Sequence, residues 1–285
     1  MPRRRGYRRR RRRAATALLV ALAAVAVVIA LVLSTGSGTD GARLVHYTIA
    51  GRRVHQALPQ VGVIPAGSSA LPRPLLVFLH GKGQNEESNL VPEMFSALAR
   101  LGSEAPDVVF PYGGEDSYWH DRADGSWGEY LMREVIPEAL RRLHADPRRI
   151  AIGGLSMGGF GAYDLALKDP GAFCAVGGDS TALWRRGGET AAGAFDSAED
   201  FSRNDVIGAA RSGGDAYRGT SLWLDVGSED PFRSADTELA ELLKADSASV
   251  QFHVWPGGHE PAYWDAHWGS YLRFYASVLA NCQRS

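Results

Sequence analysis

The chain has 285 residues, 45% hydrophobic and 22% charged, a composition of ordinary globular type. Its formal charge of −1 hides an asymmetry: nine arginines lie within the first thirteen residues, at Arg3–Arg5 and Arg8–Arg13, and without them 22 basic residues face 32 acidic ones, near −10. A nucleic-acid-binding domain has the opposite balance, so that class is excluded for the bulk of the chain.

The arginine run (1–13) precedes twenty uncharged residues, Ala14–Leu33. At about 1.5 Å per residue these span the roughly 30 Å hydrocarbon core of a bilayer. The positive-inside rule keeps the arginines in the cytoplasm and puts the rest of the chain outside it. The reading is a membrane anchor over 14–33. Its alternative is a signal peptide that is cleaved to give a secreted protein, although the apolar stretch is long and no clear small-x-small site follows. A polar, glycine-rich linker over 34–42 leads to a domain over 43–285.

Within that domain Leu44–Ile49 and Val54–Ile64 read as two strands around an Ala50-Gly51-Arg52 turn. Leu75–Leu79 is a continuous apolar run, the mark of a strand buried on both faces. Helix is predicted at Val91–Leu101, strand at Val108–Phe110, helix at Gly128–Leu143, strand at Ile150–Gly153 and helix at Gly158–Leu167. Phe173–Val176 is the next strand, followed by an irregular, cap-like insertion over about 181–219. Strand Ser221–Val226, helix Ser234–Leu243, strand Val250–Val254 and helix Ala262–Leu279 complete the pattern. Strands alternating with helices imply a mostly parallel central sheet with helices on both faces, here with an antiparallel start.

Gly154-Leu155-Ser156-Met157-Gly158 fits G-x-S-x-G, with an apolar strand before it and a helix after it. This is the context of a nucleophile elbow: a strained turn presents the serine, and glycines avoid clashes on either side. A serine nucleophile needs a base and an acid to orient that base, in the chain order Ser, Asp, His in this architecture. Asp230 follows the Ser221–Val226 strand and His259 follows Val250–Val254, so both stand in loops at strand ends. Glu229 is a rival acid. Asp225, His253 and His267 lie inside regular elements and read as packed or structural. The backbone N–H of Met157 is one expected oxyanion donor; the other is that of Lys82, in the loop His80-Gly81-Lys82-Gly83, with Gly83 as the near alternative. His80 is expected to brace this loop.

Together LVFLHGKG, YWHDRADGSWGEYLMREVIPEAL, GGLSMGGFGAY, VGSEDPF and PGGHEPAYWDAHW resemble the putative-esterase family, which includes esterase D, tributyrin and feruloyl esterases and the antigen 85 mycolyltransferases. The resemblance covers roughly residues 44–280. It implies an α/β-hydrolase fold and the triad Ser156, Asp230 and His259. It also makes Tyr118, Trp119 and His120 candidates for the substrate cleft, with packing as the competing role. Trp127 and Tyr130 are expected to pack; Phe195 and Phe201 either face an acyl chain or anchor the insertion. In the implied fold Cys174 and Cys282 both fall at the edge of the sheet opposite the site. A Cys174–Cys282 disulfide is then available, the alternative being two buried thiols.

The expected activity is cleavage of carboxylic esters, small-molecule, lipid or glycan, through an acyl-serine, with no metal and no cofactor. The alternatives are acyl transfer to an alcohol, as in the mycolyltransferases, and a non-catalytic, membrane-anchored binding module.

Overall fold

The computed structural model describes residues 38–67, 72–213, 217–246 and 248–282. The arginine tail, the anchor and the first part of the linker lie outside the described residues. Among those described, no helix is long and apolar enough to cross a membrane.

Strands β1 (Arg43–Gly51) and β2 (Gln56–Ile64) form an antiparallel hairpin. They are followed by β3 (Leu75–Leu79), helix α1 (Pro92–Leu101) and β4 (Asp107–Pro111). A two-residue ribbon, β5 (Asp121–Arg122) with β6 (Gly125–Ser126), precedes α2 (Trp127–Tyr130), a π-helical turn (Leu131–Val135) and α3 (Ile136–Leu143). The single helix expected over 128–143 is thus interrupted. Pro137 has no N–H to donate back along the helix, and a widened turn ahead of it accommodates the gap in the ladder.

β7 (Ile150–Leu155) leads into α4 (Met157–Lys168), then β8 (Ala175–Asp179). The insertion is more regular than its composition suggests. It contains α5 (Ala198–Arg203), capped by the Ser197 side chain, and α6 (Val206–Arg211), capped by Asp205. β9 (Ser221–Gly227), α7 (Arg233–Ala245), β10 (Ser249–Trp255) and α8 (Pro261–Asn281) follow.

The main sheet has eight strands in the order β1-β2-β4-β3-β7-β8-β9-β10. β2 is antiparallel to β4, and every pair from β4 to β10 is parallel. This is the α/β-hydrolase arrangement. Alternate residues of β3 point to opposite faces. Leu75, Val77 and Leu79 join a core with residues of α3, α4 and α7, while Leu76 and Phe78 join a second core under α1 and α8. Parallel strands end in register, so the loops after β3, β7, β9 and β10 gather at one edge of the sheet. At the opposite edge Cys174, just before β8, is disulfide-bonded to Cys282 at the end of α8, with Cα atoms 6.0 Å apart.

Candidate active site

Ser156 sits between β7 and α4 with φ 52° and ψ −110°, a backbone conformation L-residues rarely adopt. Neighbouring backbone holds it there. Its N–H donates to the Asp179 carbonyl (2.9 Å), and its carbonyl accepts from the N–H groups of Phe160 and Ala182, both at 3.1 Å. A Cβ on Gly154 would fall 2.5 Å from the Leu79 carbonyl oxygen, and one on Gly158 would fall 2.2 Å from the same atom. The glycines of the motif therefore let the elbow close onto the end of β3.

The Oγ of Ser156 lies 2.9 Å from Nε2 of His259, and Nδ1 of His259 lies 2.9 Å from Oδ2 of Asp230. A carboxylate only accepts, so Nδ1 carries the proton and Nε2 accepts from the serine hydroxyl. The other oxygen of Asp230 accepts from the Phe232 N–H at 2.8 Å, and its carboxyl is fully buried. The His259 ring is held edge-on by Phe232 (centroids 5.3 Å apart) and Trp264 (5.1 Å). Its side chain keeps 26% exposure, so solvent reaches the imidazole but not the carboxyl.

The loop after β3 passes beside the elbow: a Cβ on Gly81 would lie 3.5 Å from the Leu155 carbonyl. Gly83 N–H donates to the Glu115 carbonyl (2.7 Å) and Gly81 N–H to the Gln84 side chain (2.8 Å). The N–H groups of Lys82 and Met157 have no acceptor among the described residues. Of the two candidates on this loop, then, Lys82 has the free donor and Gly83 does not. His80 braces the loop. Its Nδ1 donates to the Gly81 carbonyl (2.8 Å), and its Nε2 accepts from the Gly113 N–H (3.2 Å). Burial pushes its pKa down to about 4, so the ring is neutral, as that pairing requires.

Of the two roles open to Tyr118, Trp119 and His120, cleft or packing, the contacts of all three are packing contacts. Trp119 and His120 have no exposed surface. The Trp119 side chain is wedged against Gly113 and Gly161, where an added Cβ would fall 2.2 Å from the ring and 2.4 Å from the Trp119 Cβ, and its indole N–H donates to the His80 carbonyl. His120 bonds Asp200 of α5 at 3.1 Å and stacks on Phe195. It pins the insertion to the body. Tyr118 is 3% exposed and packs among Phe160, Trp184 and Phe195. Consecutive left-handed conformations at Tyr118 and Trp119 (φ 52° and 58°) turn the chain inward, a feature with no local sequence signature.

Phe195 and Phe201 pack edge-on within the same insertion. Arg122 and Asp196 clamp its rim at 2.8 Å. Trp127 and Tyr130 pack in the core, with Tyr130 OH accepting from Gln60. The rival residues stand elsewhere. Glu229 is exposed. His253 and His267 sandwich the Trp255 ring, with centroids 4.8 and 4.2 Å away. Asp225 is buried and accepts from Trp223, Tyr263 and Tyr271.

The family model described as "Putative esterase" matches residues 56–272. Among curated relatives, "Esterase Rv1288" of Mycobacterium tuberculosis is 26% identical over 227 residues, 65% of this chain and 48% of that protein. "Esterase Rv0045c" of the same organism is 31% identical over 122 residues, 41% of this chain and 38% of that protein. The chain thus matches less than half the length of either. Among solved structures, a ferulic acid esterase superposes with a TM-score of 0.73 at 20% identity, covering 84% of this chain and 98% of that one. An S-formylglutathione hydrolase from Staphylococcus aureus gives 0.63 at 18%, covering 82% and 99%. At these identities the structural likenesses speak for the fold, while the family model spans most of the chain. The chain belongs to the putative-esterase family and carries its α/β-hydrolase fold.

Proposed function

We propose that this chain hydrolyses carboxylic esters through an acyl-serine intermediate. One observation carries the reading: Ser156, His259 and Asp230, brought from three loops at one sheet edge, form a continuous hydrogen-bonded relay with both links at 2.9 Å. In this reading His259 takes the Ser156 proton as Oγ attacks the ester carbonyl. The Asp230 carboxylate holds the ring and stabilises the imidazolium that forms. The free N–H groups of Met157 and Lys82 receive the oxyanion. His259 then returns the proton to the leaving alcohol, and water, activated by the same base, releases the acid. Side chains and backbone amides supply every step. The filled triad argues against a binding module that has lost its chemistry.

Fluorophosphonate labelling of the domain, mapped by peptide mass, tests the reading. Labelling should occur at Ser156 and vanish in Ser156→Ala; a label elsewhere, or one that persists in the variant, overturns it. Product analysis with added acceptor alcohols then separates hydrolysis from acyl transfer.

We further propose that residues 14–33 anchor the enzyme with its site outside the cytoplasm. The twenty uncharged residues behind nine arginines support this. Strand polarity adds a consequence. Arg43 pairs with Ile64, and β2 runs away from the triad edge, where Gln60 pairs with Pro111. The domain is therefore entered at the end of the sheet opposite Ser156. Fractionation checks the anchor: full-length protein should stay with membranes in carbonate, and release of a chain shortened past residue 33 would favour secretion.

A further inference from the structure

Two carboxyl groups that the relay does not use lie directly beneath it. Asp179 ends β8, Asp225 is its register partner in β9, and neither has any exposed surface. The indole N–H of Trp223 reaches both, 3.1 Å from Asp179 Oδ1 and 2.8 Å from Asp225 Oδ1. Asp225 Oδ2 also accepts from Tyr263 OH (2.6 Å) and Tyr271 OH (3.3 Å). Asp179 Oδ2 is buried with no donor to receive. The titratable groups facing the pair are Asp236 from α7, Tyr163 from α4, His253 from β10, and Tyr263, Tyr271, Tyr275 and His267 from α8.

Two adjacent buried carboxylates served by neutral donors cannot both carry charge. Asp225 has three donors, which suit an anion. Asp179 has a share of one and an orphan oxygen, the surroundings of a neutral carboxyl, and the two carboxyls lie within hydrogen-bond reach, so a proton on Asp179 can be donated to Asp225. Burial and the neighbouring charge of Asp225 push the Asp179 carboxyl well above the usual carboxylate range, in agreement with this assignment.

The pair is also linked to segments that carry Ser156, Asp230 and His259. Ser156 N–H donates to the Asp179 carbonyl, and Ser180 N–H to the Asp225 carbonyl at 2.8 Å. Tyr263, bonded to Asp225, lies four residues after His259 at the start of α8. Asp230 follows Asp225 on the loop that leaves β9.

We propose that Asp179 and Asp225 form a one-proton acid–carboxylate pair, Asp179 the donor and Asp225 the anion, that positions the Ser156 and His259 loops relative to each other. The proposal rests on the Ser156–His259–Asp230 reading and adds two positioning residues to it. An amide at 179 still donates an N–H to Asp225, so Asp179→Asn should keep kcat within about threefold, while Asp179→Ala should lose tenfold or more. Asp225→Asn removes the anion that holds Tyr263 and should lower kcat by about 10- to 100-fold with KM within about twofold, because substrate contacts are untouched. Infrared difference spectra should show a protonated-carboxyl band at neutral pH in the wild type that is missing in Asp179→Asn. If Asp225→Asn fails to fold, Tyr263→Phe cuts the same link and should lower kcat alone. Equal kcat in wild type, Asp179→Ala and Tyr263→Phe overturns the pair, as does a wild-type minus Asp179→Asn difference spectrum without a protonated-carboxyl band, the buried Asp107 and Asp236 being common to both proteins. Wild-type protein that takes no fluorophosphonate at Ser156 instead defeats the underlying triad reading.

Discussion

Gly158 stands where a single added methyl group would lie 2.2 Å from the carbonyl oxygen of Leu79. The obstacle is backbone in the middle of the sheet, not the end of a flexible side chain. Gly158→Ala must therefore push α4 away from β3 or bend the strand. Such overpacking costs about 1–3 kcal/mol. Urea unfolding should show that loss, and fluorophosphonate labelling at Ser156 should slow with it, since the same contact shapes the elbow.

The triad variants should act as a unit. On the proposed mechanism Ser156→Ala and His259→Ala each lower kcat by on the order of 10⁴-fold or more, and the double variant is no worse than either alone. Asp230→Asn leaves the geometry but removes the anion that fixes the proton on Nδ1, and should cost on the order of 10³-fold or more. Steady-state kinetics on p-nitrophenyl acetate checks all three; an additive double variant would mean the residues do not work together.

The Cys174–Cys282 bond closes a loop of 108 residues at the edge opposite Ser156. Its loss should cost about 2–5 kcal/mol of stability. Below the unfolding transition, Cys174→Ser with Cys282→Ser should label at Ser156 at the wild-type rate, because the bridge and the elbow lie at opposite ends of the sheet. Thermal unfolding with and without reductant, beside labelling kinetics at low temperature, separates the two effects.

His80 gives a pH signature. Its folded pKa of about 4 lies below the usual 6.5, so between these values the unfolded chain binds the extra proton. Stability from this group is complete above pH 6.5 and is lost as pH falls toward 4, by about 3 kcal/mol in all. Asp107 acts with the opposite sign: burial raises it from 3.8 to about 7, so its contribution is lost as pH rises across that window. The His80→Asn comparison isolates the histidine, since Asp107 is common to both proteins. Unfolding at pH 7 and pH 4.5 should show a smaller difference in the variant than in the wild type once the Asp107 slope is subtracted.

Much of the site is local information. G-x-S-x-G between a strand and a helix needs only neighbouring residues to be recognised, and the positions of Asp230 and His259 follow from strand ends. The alternation of apolar strands with helices was sufficient for the parallel sheet, because burial on both faces leaves a continuous hydrophobic run such as LLVFL. The short helices of the insertion were not legible: the stretch reads as irregular, and their caps, Ser197 and Asp205, stand among glycines and charges.

Other features depend on residues far apart in the chain. Aromatic residues such as Trp119 suit a cleft and a core equally well; a left-handed turn and two glycines, Gly113 and Gly161, decided for the core. That the Gly83 N–H is occupied and the Lys82 N–H is not depends on Glu115, whose carbonyl accepts from Gly83 across the loop. Asp179 reads as the polar end of a strand until β9 places Asp225 and Trp223 beside it.

The sequence by itself determined the fold class and marked Ser156, Asp230 and His259 as candidates, because those follow from periodicity and from turn chemistry within a few residues. Only the tertiary structure decided which backbone donors are occupied, which aromatics pack in the core, and which buried acids lie side by side. Each of those depends on hydrogen-bond satisfaction and desolvation between segments that meet only when the sheet is assembled.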